Sequence, residues 1–145
     1  MSEVIEILLV EDNTSDVKLA MRAFEKNNLA NRVQVLRDGA EALEYLFHTG
    51  RYAGNANQSL PKIILLDLKL PIVDGLEVLK KIKSEPETRM IPVVVMTSSN
   101  QEKDMLESYH LGVNSYIQKP VDFEQFIEAV RQLGFYWLLV NKVPY

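Results

Sequence analysis

The chain has 145 residues, which suits one compact domain able to bury a sizeable hydrophobic core. It contains no cysteine, which excludes a disulfide framework, a zinc–thiolate site and thiol catalysis. The net charge is −4 and no basic run is present, which argues against nucleic-acid binding. No apolar stretch approaches the roughly 20 residues that span a bilayer, so membrane insertion is not expected. A cytoplasmic protein is therefore expected.

Short apolar runs of strand length alternate along the chain with segments whose apolar residues recur at helical spacing. The strands are predicted at Ile7–Val10, Val33–Leu36, Ile63–Leu66, Val93–Met96 and Ser115–Ile117. A helix is predicted after each strand. In chain order, the apolar stripes of these five helices begin at Val17, Ala42, Leu76, Met105 and Phe123. Gln34 interrupts the second run, as in an edge strand, whereas the other runs are nearly continuous, as in strands covered on both faces.

Five repeats of strand and helix predict an α/β fold, a doubly wound parallel sheet with helices on both faces. In such sheets, ligands bind at the carboxyl ends of the strands, near the point where the strand order reverses. The functional residues are therefore expected directly after the strands. The longest connection, residues 49–60, is predicted to be a surface loop.

Polar side chains do follow four of the predicted strands. Glu11 and Asp12 follow the first, and such a carboxylate pair suits a hard cation rather than a bare phosphate. Asp67 ends a buried apolar strand, where a carboxylate must be paired, metal-bound or neutral. Thr97 and Lys119 end the fourth and fifth strands. Each residue alone could be an ordinary turn, cap or surface residue, but together they predict one functional edge of the sheet.

Four separated segments of the chain resemble the receiver domains of two-component response regulators, in the same order along the sequence. They are Leu-Leu-Val-Glu-Asp-Asn from residue 8, Leu-Leu-Asp-Leu-Lys-Leu-Pro-Ile-Val-Asp-Gly-Leu-Glu from residue 65, Met-Thr-Ser-Ser from residue 96 and Ser-Tyr-Ile-Gln-Lys-Pro from residue 115. The resemblance covers essentially the whole chain. It implies a single-domain flavodoxin-like (βα)5 fold and a phosphorylation switch rather than an enzyme with a separate substrate.

The resemblance also implies a role for each strand-end residue. Asp67 would accept a phosphoryl group from a phosphohistidine of a sensor histidine kinase. Mg²⁺ would be bound by Asp12, Asp67 and the backbone carbonyl of Lys69, with Glu11 reaching the ion through water. Lys119 would pair with Asp67 at rest and with the phosphoryl group afterwards, and the domain would assist its own phosphorylation and dephosphorylation.

The resemblance implies that Thr97 and Tyr116 form a switch, and the position of Lys69 suggests a role for its side chain in hydrolysis. The Thr97 hydroxyl would bind a phosphoryl oxygen, and the movement of Thr97 would vacate space for the ring of Tyr116. The side chain of Lys69 is hypothesised to influence the water that hydrolyses the phosphoryl group. The alternative for Tyr116 is an ordinary half-buried strand aromatic.

The loop at residues 49–60 and the tail at residues 134–145 depart from a minimal receiver domain. Both features are similar to those of stand-alone regulators that serve phytochrome-type kinases. If the last helix continues past Gly134, it becomes an extended C-terminal helix whose outer face carries Phe135 and Leu139, which predicts an interface and most simply a homodimer. Alternatively, the chain bends at Gly134 and these side chains fold back. The receiver domain is expected to occupy residues 1–145, with its core at about 4–133 and no output domain.

Three other functions are compatible with parts of this pattern. A haloacid-dehalogenase-type phosphatase needs a second Asp two residues after its nucleophile, where this chain has Lys69. A flavodoxin-like electron carrier needs a phosphate-binding turn after the first strand, where this chain is acidic. A receiver-like adaptor that is never phosphorylated usually lacks one of the active-site residues, and none is missing here.

Overall fold

A computed structural model describes residues 5–55, 60–98, 111–113, 115–119 and 122–133. The strands are β1 (Ile7–Val10), β2 (Val33–Leu36), β3 (Ile63–Asp67), β4 (Val93–Thr97) and β5 (Ser115–Gln118). The helices in these ranges are α1 (Thr14–Lys26), α2 (Gly39–Phe47), α3 (Gly75–Ser84) and α4 (Phe123–Leu133), with short 3₁₀ helices at Ala30–Arg32 and Gly50–Asn55. All five predicted strands are present, and β3, β4 and β5 each extend one residue further than predicted.

The five strands form one parallel sheet in the order β2-β1-β3-β4-β5. This order confirms the predicted doubly wound fold. The chain first adds β2 on one side of β1 and then adds β3, β4 and β5 on the other, so the strand order reverses between β1 and β3. β2 lies at an edge, and Val33, Gln34 and Val35 are each only partly buried. The polar interruption at Gln34 therefore identified an edge strand correctly.

Alternate residues of the strands face two separate apolar layers. Leu8 and Ile64 pack with α2 and α3, whereas Leu9 and Leu65 pack with α1 and α4. On the second side, the rings of Phe24 and Phe126 meet edge to face, with centroids 6.5 Å apart. Burial on both faces explains why the inner strands are continuously apolar.

The helices on either side of β2 begin at side-chain caps. Asp38 accepts a hydrogen bond from the Glu41 N–H at 2.6 Å and starts α2. Asn13 accepts one from the Asp16 N–H at 2.9 Å and starts α1. These caps fix the first turn of each helix next to the carboxyl end of a strand.

Several predictions fall outside the described residues. They include the helix with Met105 in residues 99–110, and the extended C-terminal helix with Phe135 and Leu139 in residues 134–145. Of the long connection at 49–60, residues 50–55 form the 3₁₀ helix and 56–59 are not described. None of the helices in the described ranges combines the length and apolarity needed to span a membrane.

Candidate functional site

The carboxyl ends of β1, β3, β4 and β5 lie along one edge of the sheet, because the strands are parallel and adjacent. Glu11 and Asp12 follow β1, Asp67 is the last residue of β3, Thr97 is the last residue of β4, and Lys119 follows β5. The fold therefore brings together the residues that the sequence placed at one edge. The site lies beside the reversal between β1 and β3, where ligands bind in this class of sheet.

Three carboxylates at this edge form a compact acidic cluster. One oxygen from each of Glu11, Asp12 and Asp67 lies within 4.8 Å of the others. Glu11 is 0% exposed and Asp67 is 6% exposed, whereas Asp12 reaches solvent. Because oxygen ligands of this kind suit Mg²⁺ and similar hard cations, the donor set fits a divalent metal.

Lys119 supplies a positive charge to the same cluster. Its Nζ lies 2.7 Å from Glu11 Oε1, 2.9 Å from Asp67 Oδ2 and 2.9 Å from Asp16 Oδ2, and its side chain is 15% exposed. Burial lowers the pKa of Lys119, but its hydrogen bonds to these three carboxylates more than offset this, so the pKa lies above the usual value of a lysine. The ammonium therefore stays charged and balances part of the negative charge.

Glu11 is the most deeply buried member of the cluster. Burial, followed by the hydrogen bond with Asp67 and the repulsion from its charge, raises the pKa of Glu11 to about 7. The contact with Lys119 acts in the opposite direction but does not outweigh them. A bound divalent cation would favour the ionised form of Glu11, so metal binding is linked to proton release.

The backbone after Asp67 is held tightly against the neighbouring elements. The Lys69 N–H donates to Asp67 Oδ1 at 3.1 Å, and the Gly75 N–H donates to the Leu68 carbonyl at 2.9 Å. A Cβ at Gly75 would lie 2.3 Å from the Asp67 carbonyl oxygen, closer than any side chain tolerates. Gly75 thus lets α3 start directly against Asp67 and fixes the loop around this carboxylate.

The two predicted switch residues lie on adjacent strands. Thr97 is buried, and its carbonyl accepts a hydrogen bond from the Lys119 N–H at 2.8 Å. Tyr116 is partly buried on β5, pairs in register with Val95 and packs against the apolar layer that contains α2 and α3. The two residues thus lie on paired strands, and their roles in a switch stay a prediction.

The sequence interpretation missed Asp16 and Asn13. Asp16 contacts Lys119, and the Asn13 N–H donates to Glu11 Oε2 at 3.1 Å. Asn13 and Asp16 are three residues apart at the start of a helix, a spacing that signals a helix N-terminus. That pattern could have placed Asp16 near the carboxyl end of β1, but it could not have identified Lys119 as its partner.

A doubly wound parallel sheet whose carboxyl edge carries an acidic cluster that could hold a divalent cation, with a partly buried lysine in contact with it, is typical of metal-dependent α/β domains that bind phosphate. The chain belongs to the response regulator receiver domain family, whose family model matches residues 7–131. It is accordingly a receiver domain, the phosphorylation-dependent switch of two-component signalling.

Two sequence relatives match nearly the whole chain. The "Probable methanogenesis regulatory protein FilR2" of Methanothrix harundinacea is 47% identical over 139 residues, which cover 95% of this chain and 86% of that protein. Response regulator Rcp1 of Synechocystis sp. is 38% identical over 138 residues, covering 95% and 92%. The chain therefore spans most of the length of both relatives.

Three solved structures show the same fold at substantial identity. The bacteriophytochrome response regulator RtBRR is 49% identical with a TM-score of 0.80, covering 93% of this chain and 81% of that one. The phosphorylated cyanobacterial phytochrome response regulator RcpA is 43% identical with a TM-score of 0.80, covering 99% and 100%. The Mn²⁺-bound form of Rcp1 is 38% identical with a TM-score of 0.79, covering 97% and 99%. Phytochrome response regulators are thus among the chains that this protein resembles.

Membership of the family supports two general statements about the site. Receiver domains bind a divalent metal through an acidic cluster, and this chain has such a cluster in Glu11, Asp12 and Asp67. A receiver domain also implies a histidine kinase as the phosphodonor partner.

Proposed function

We propose that Asp67 is the phosphoacceptor of this receiver domain and that the transfer from the kinase phosphohistidine depends on Mg²⁺. The observation that carries the proposal is the contact of the Lys119 ammonium with Asp67 Oδ2 at 2.9 Å and with Glu11 Oε1 at 2.7 Å. This contact places a fixed positive charge beside the acceptor oxygen, at a buried strand end.

The transfer forms an oxygen–phosphorus bond and breaks a nitrogen–phosphorus bond. An Asp67 carboxylate oxygen attacks the phosphorus, and the imidazole nitrogen of the donor keeps the electron pair of the broken bond. No general base is needed because a carboxylate oxygen attacks through a lone pair and has no proton to lose. Catalysis therefore rests on positioning and on neutralising charge, to which Lys119 contributes.

Mg²⁺ would be held by Asp12, Asp67 and the Lys69 carbonyl, with Glu11 acting through water. The acidic cluster fits this ion, which would reduce the repulsion among the carboxylates and shield the phosphoryl oxygens. The Lys69 N–H already holds Asp67 Oδ1 in place, so one carboxylate oxygen is oriented by the backbone and the other by Lys119. The same groups would let the domain assist its own phosphorylation and dephosphorylation.

Thr97 and Tyr116 would report the phosphoryl group to the surface. The Thr97 hydroxyl would donate a hydrogen bond to a phosphoryl oxygen, and the ring of Tyr116 would move into the space that Thr97 leaves. Their positions on the adjacent strands β4 and β5 support this coupling. A contact made in only one state is what shifts a two-state equilibrium.

The likeness to phytochrome response regulators supports a phytochrome-type sensor kinase as the donor. A homodimer through Phe135 and Leu139, and a cytoplasmic location, remain predictions from the sequence. Polar replacement of both side chains should convert a dimer to a monomer in sedimentation equilibrium, and an unchanged sedimentation profile would count against this interface.

Phosphorylation can be tested with acetyl phosphate as a small donor and Mg²⁺, followed by measurement of the intact mass. The wild type should gain one phosphoryl group, whereas Asp67→Asn and a sample with chelated metal should gain none. Asp74→Asn is a matched control, because Asp74 is an exposed carboxylate at the start of α3 and should not affect the gain. If labelling persisted in Asp67→Asn, the acceptor would have to be another residue. If the wild type gained no phosphoryl group from acetyl phosphate or from a histidine kinase, and bound no beryllofluoride, the chain would be a receiver-like adaptor.

A further inference from the structure

Asp16 is a fourth carboxylate at the strand-end site, and it contacts Lys119 rather than the acidic cluster. Its Oδ2 lies 2.9 Å from Lys119 Nζ, and its side chain is 33% exposed. Among the described residues, Glu11, Asp12 and Asp67 form a group that could hold a metal, and Asp16 does not belong to that group. The proposed phosphotransfer chemistry assigns no role to Asp16.

The start of α1 holds Asp16 in this position. Asp16 is the third helical residue, and its N–H donates to the Asn13 side chain at 2.9 Å. In a reciprocal capping box the carboxylate at this position would accept the N–H of the cap residue. Here the Asn13 N–H donates to Glu11 Oε2 instead, and Asp16 contacts Lys119.

Lys119 has no spare donor in this arrangement. A lysine ammonium has three N–H bonds, and three carboxylates lie within 2.9 Å of Lys119 Nζ: Glu11, Asp16 and Asp67. When Asp67 carries a phosphoryl group, its own contact with the ammonium can pass to that group. A second ammonium donor becomes available to the phosphoryl oxygens only if Glu11 or Asp16 is released, and Asp16 is the more exposed of the two. Asp16 also carries a negative charge that attracts a cation and repels a phosphoryl group.

We propose that Asp16 competes with the phosphoryl group for Lys119 and so favours the metal-binding, unphosphorylated state over the phosphorylated one. This inference rests on the proposed role of Asp67 and adds a positioning residue to it. Asp16 acts through Lys119 and through its charge, without touching the reacting atoms. Its removal weakens cation binding and strengthens binding of a phosphoryl group.

These opposite effects distinguish the proposal from a structural role for Asp16. If Asp16 only supported the first turn of α1, its replacement would weaken metal binding and phosphoryl binding together. Asp16→Asn removes the charge at nearly constant size, and Asp16→Glu keeps the charge. Asp74→Asn removes one exposed carboxylate from the neighbouring loop, at a position that the structure does not link to Lys119.

The test measures two ligands separately on the full chain. Mn²⁺ binding is followed by the loss of the free-ion signal in electron paramagnetic resonance. Beryllofluoride, a stable stand-in for the phosphoryl group, is followed by ¹⁹F NMR with Mg²⁺ saturating for each variant. Asp16→Asn should bind Mn²⁺ about three- to tenfold more weakly and beryllofluoride at least about threefold more tightly, since one nearby charge is lost. Asp16→Glu should bind both like the wild type, and Asp74→Asn should change either affinity by less than about twofold.

Each contrary outcome has a distinct meaning. If Asp16→Asn weakened both ligands, or changed neither, while the wild type bound beryllofluoride through Asp67, the competition would be refuted and the phosphoacceptor role would stand. If Asp74→Asn reproduced the Asp16→Asn pattern, general charge rather than the contact with Lys119 would be responsible. A wild type that bound no beryllofluoride would contradict the phosphoacceptor role as well.

Discussion

At the scale of single residues, Glu11 links the stability of the metal-free protein to pH. Its pKa is about 7 in the folded protein against 4.5 for a free glutamate, so the folded state holds this proton more tightly than the unfolded chain does. The resulting stabilisation is complete below about pH 4.5 and is lost as the pH rises through 7.

Replacing Glu11 by Gln should remove this pH dependence. The free energy of unfolding of the wild type, from urea titrations with chelated metal, should fall relative to Glu11→Gln by on the order of 3 kcal/mol between pH 4.5 and 8. Glu25→Gln, an exposed change on α1, serves as the control and should follow the wild type. If wild type and Glu11→Gln ran parallel across this range, burial would not be raising the pKa of Glu11.

Ile72 has an unfavourable backbone conformation beside the site. Its φ is 70°, in the left-handed region, and its side chain is 79% exposed. The Val73 N–H donates to the Pro71 carbonyl at 2.8 Å, and the same carbonyl accepts the Gly39 N–H at 3.3 Å. These bonds hold a tight turn that is costly for a β-branched residue.

Ile72→Gly should therefore stabilise the protein. A left-handed conformation costs a residue with a Cβ about 1–2 kcal/mol, and glycine removes this cost. Glycine also destabilises the folded state by about 0.5–1 kcal/mol, because its unfolded chain has more conformational freedom. A net gain near 0.5–1 kcal/mol in the free energy of unfolding is therefore expected from urea titrations. Ile72→Ala keeps the Cβ and should show no such gain. A loss of stability in Ile72→Gly would mean that the exposed side chain contributes packing that outweighs the strain.

The site residues differ in how far the sequence could identify them. Asp67 and Lys119 could be predicted because they end apolar strands, and parallel strands bring their ends together. Asp16 could not, because the direction of its side chain depends on Glu11 taking the Asn13 N–H. The strained turn at Ile72 was equally hidden, because nothing in an isoleucine indicates a positive φ.

At the scale of secondary-structure elements, the junction between β3 and α3 determines the geometry around Asp67. Gly75 begins α3 where a Cβ would lie 2.3 Å from the Asp67 carbonyl oxygen and 2.5 Å from Leu68 Cα. Both neighbours are backbone atoms, so they cannot move aside as a flexible side chain would.

Gly75→Ala should destabilise the protein by at least about 2 kcal/mol and slow phosphorylation by acetyl phosphate, because the backbone carrying Asp67 must shift. Gly54→Ala is the matched control, since no atom lies within 4 Å of the added Cβ and neither property should change appreciably. Urea unfolding and the rate of phosphoryl incorporation measure the two effects. Normal stability and rate in Gly75→Ala would show that the junction is not rigid.

The elements themselves were largely predictable, and the details at their ends were not. Asp38 caps α2 with its side chain, whereas Asp74 occupies the cap position of α3 without a side-chain hydrogen bond. A short polar residue before a helix indicates where the helix starts. The neighbouring backbone then decides whether the side chain can reach the free N–H groups, and the sequence does not contain that geometry.

At the scale of the whole molecule, the site exists only because the complete sheet forms. Lys119 is separated from Glu11 by 108 positions and from Asp67 by 52, yet it contacts both. The order β2-β1-β3-β4-β5 places these distant residues side by side. A metal that binds only the folded arrangement should stabilise the entire domain by mass action.

The central claim, a metal-dependent phosphoryl group on Asp67, is tested most directly by locating the modified residue. The protein is treated with acetyl phosphate and Mg²⁺, the acyl phosphate is reduced with borohydride, and the product is mapped by tandem mass spectrometry. We predict that Asp67, and neither Asp12 nor Asp74, is converted to homoserine, and that chelating the metal abolishes the conversion. Conversion of Asp12 or Asp74 with Asp67 intact, or conversion of Asp67 without metal, would contradict the account.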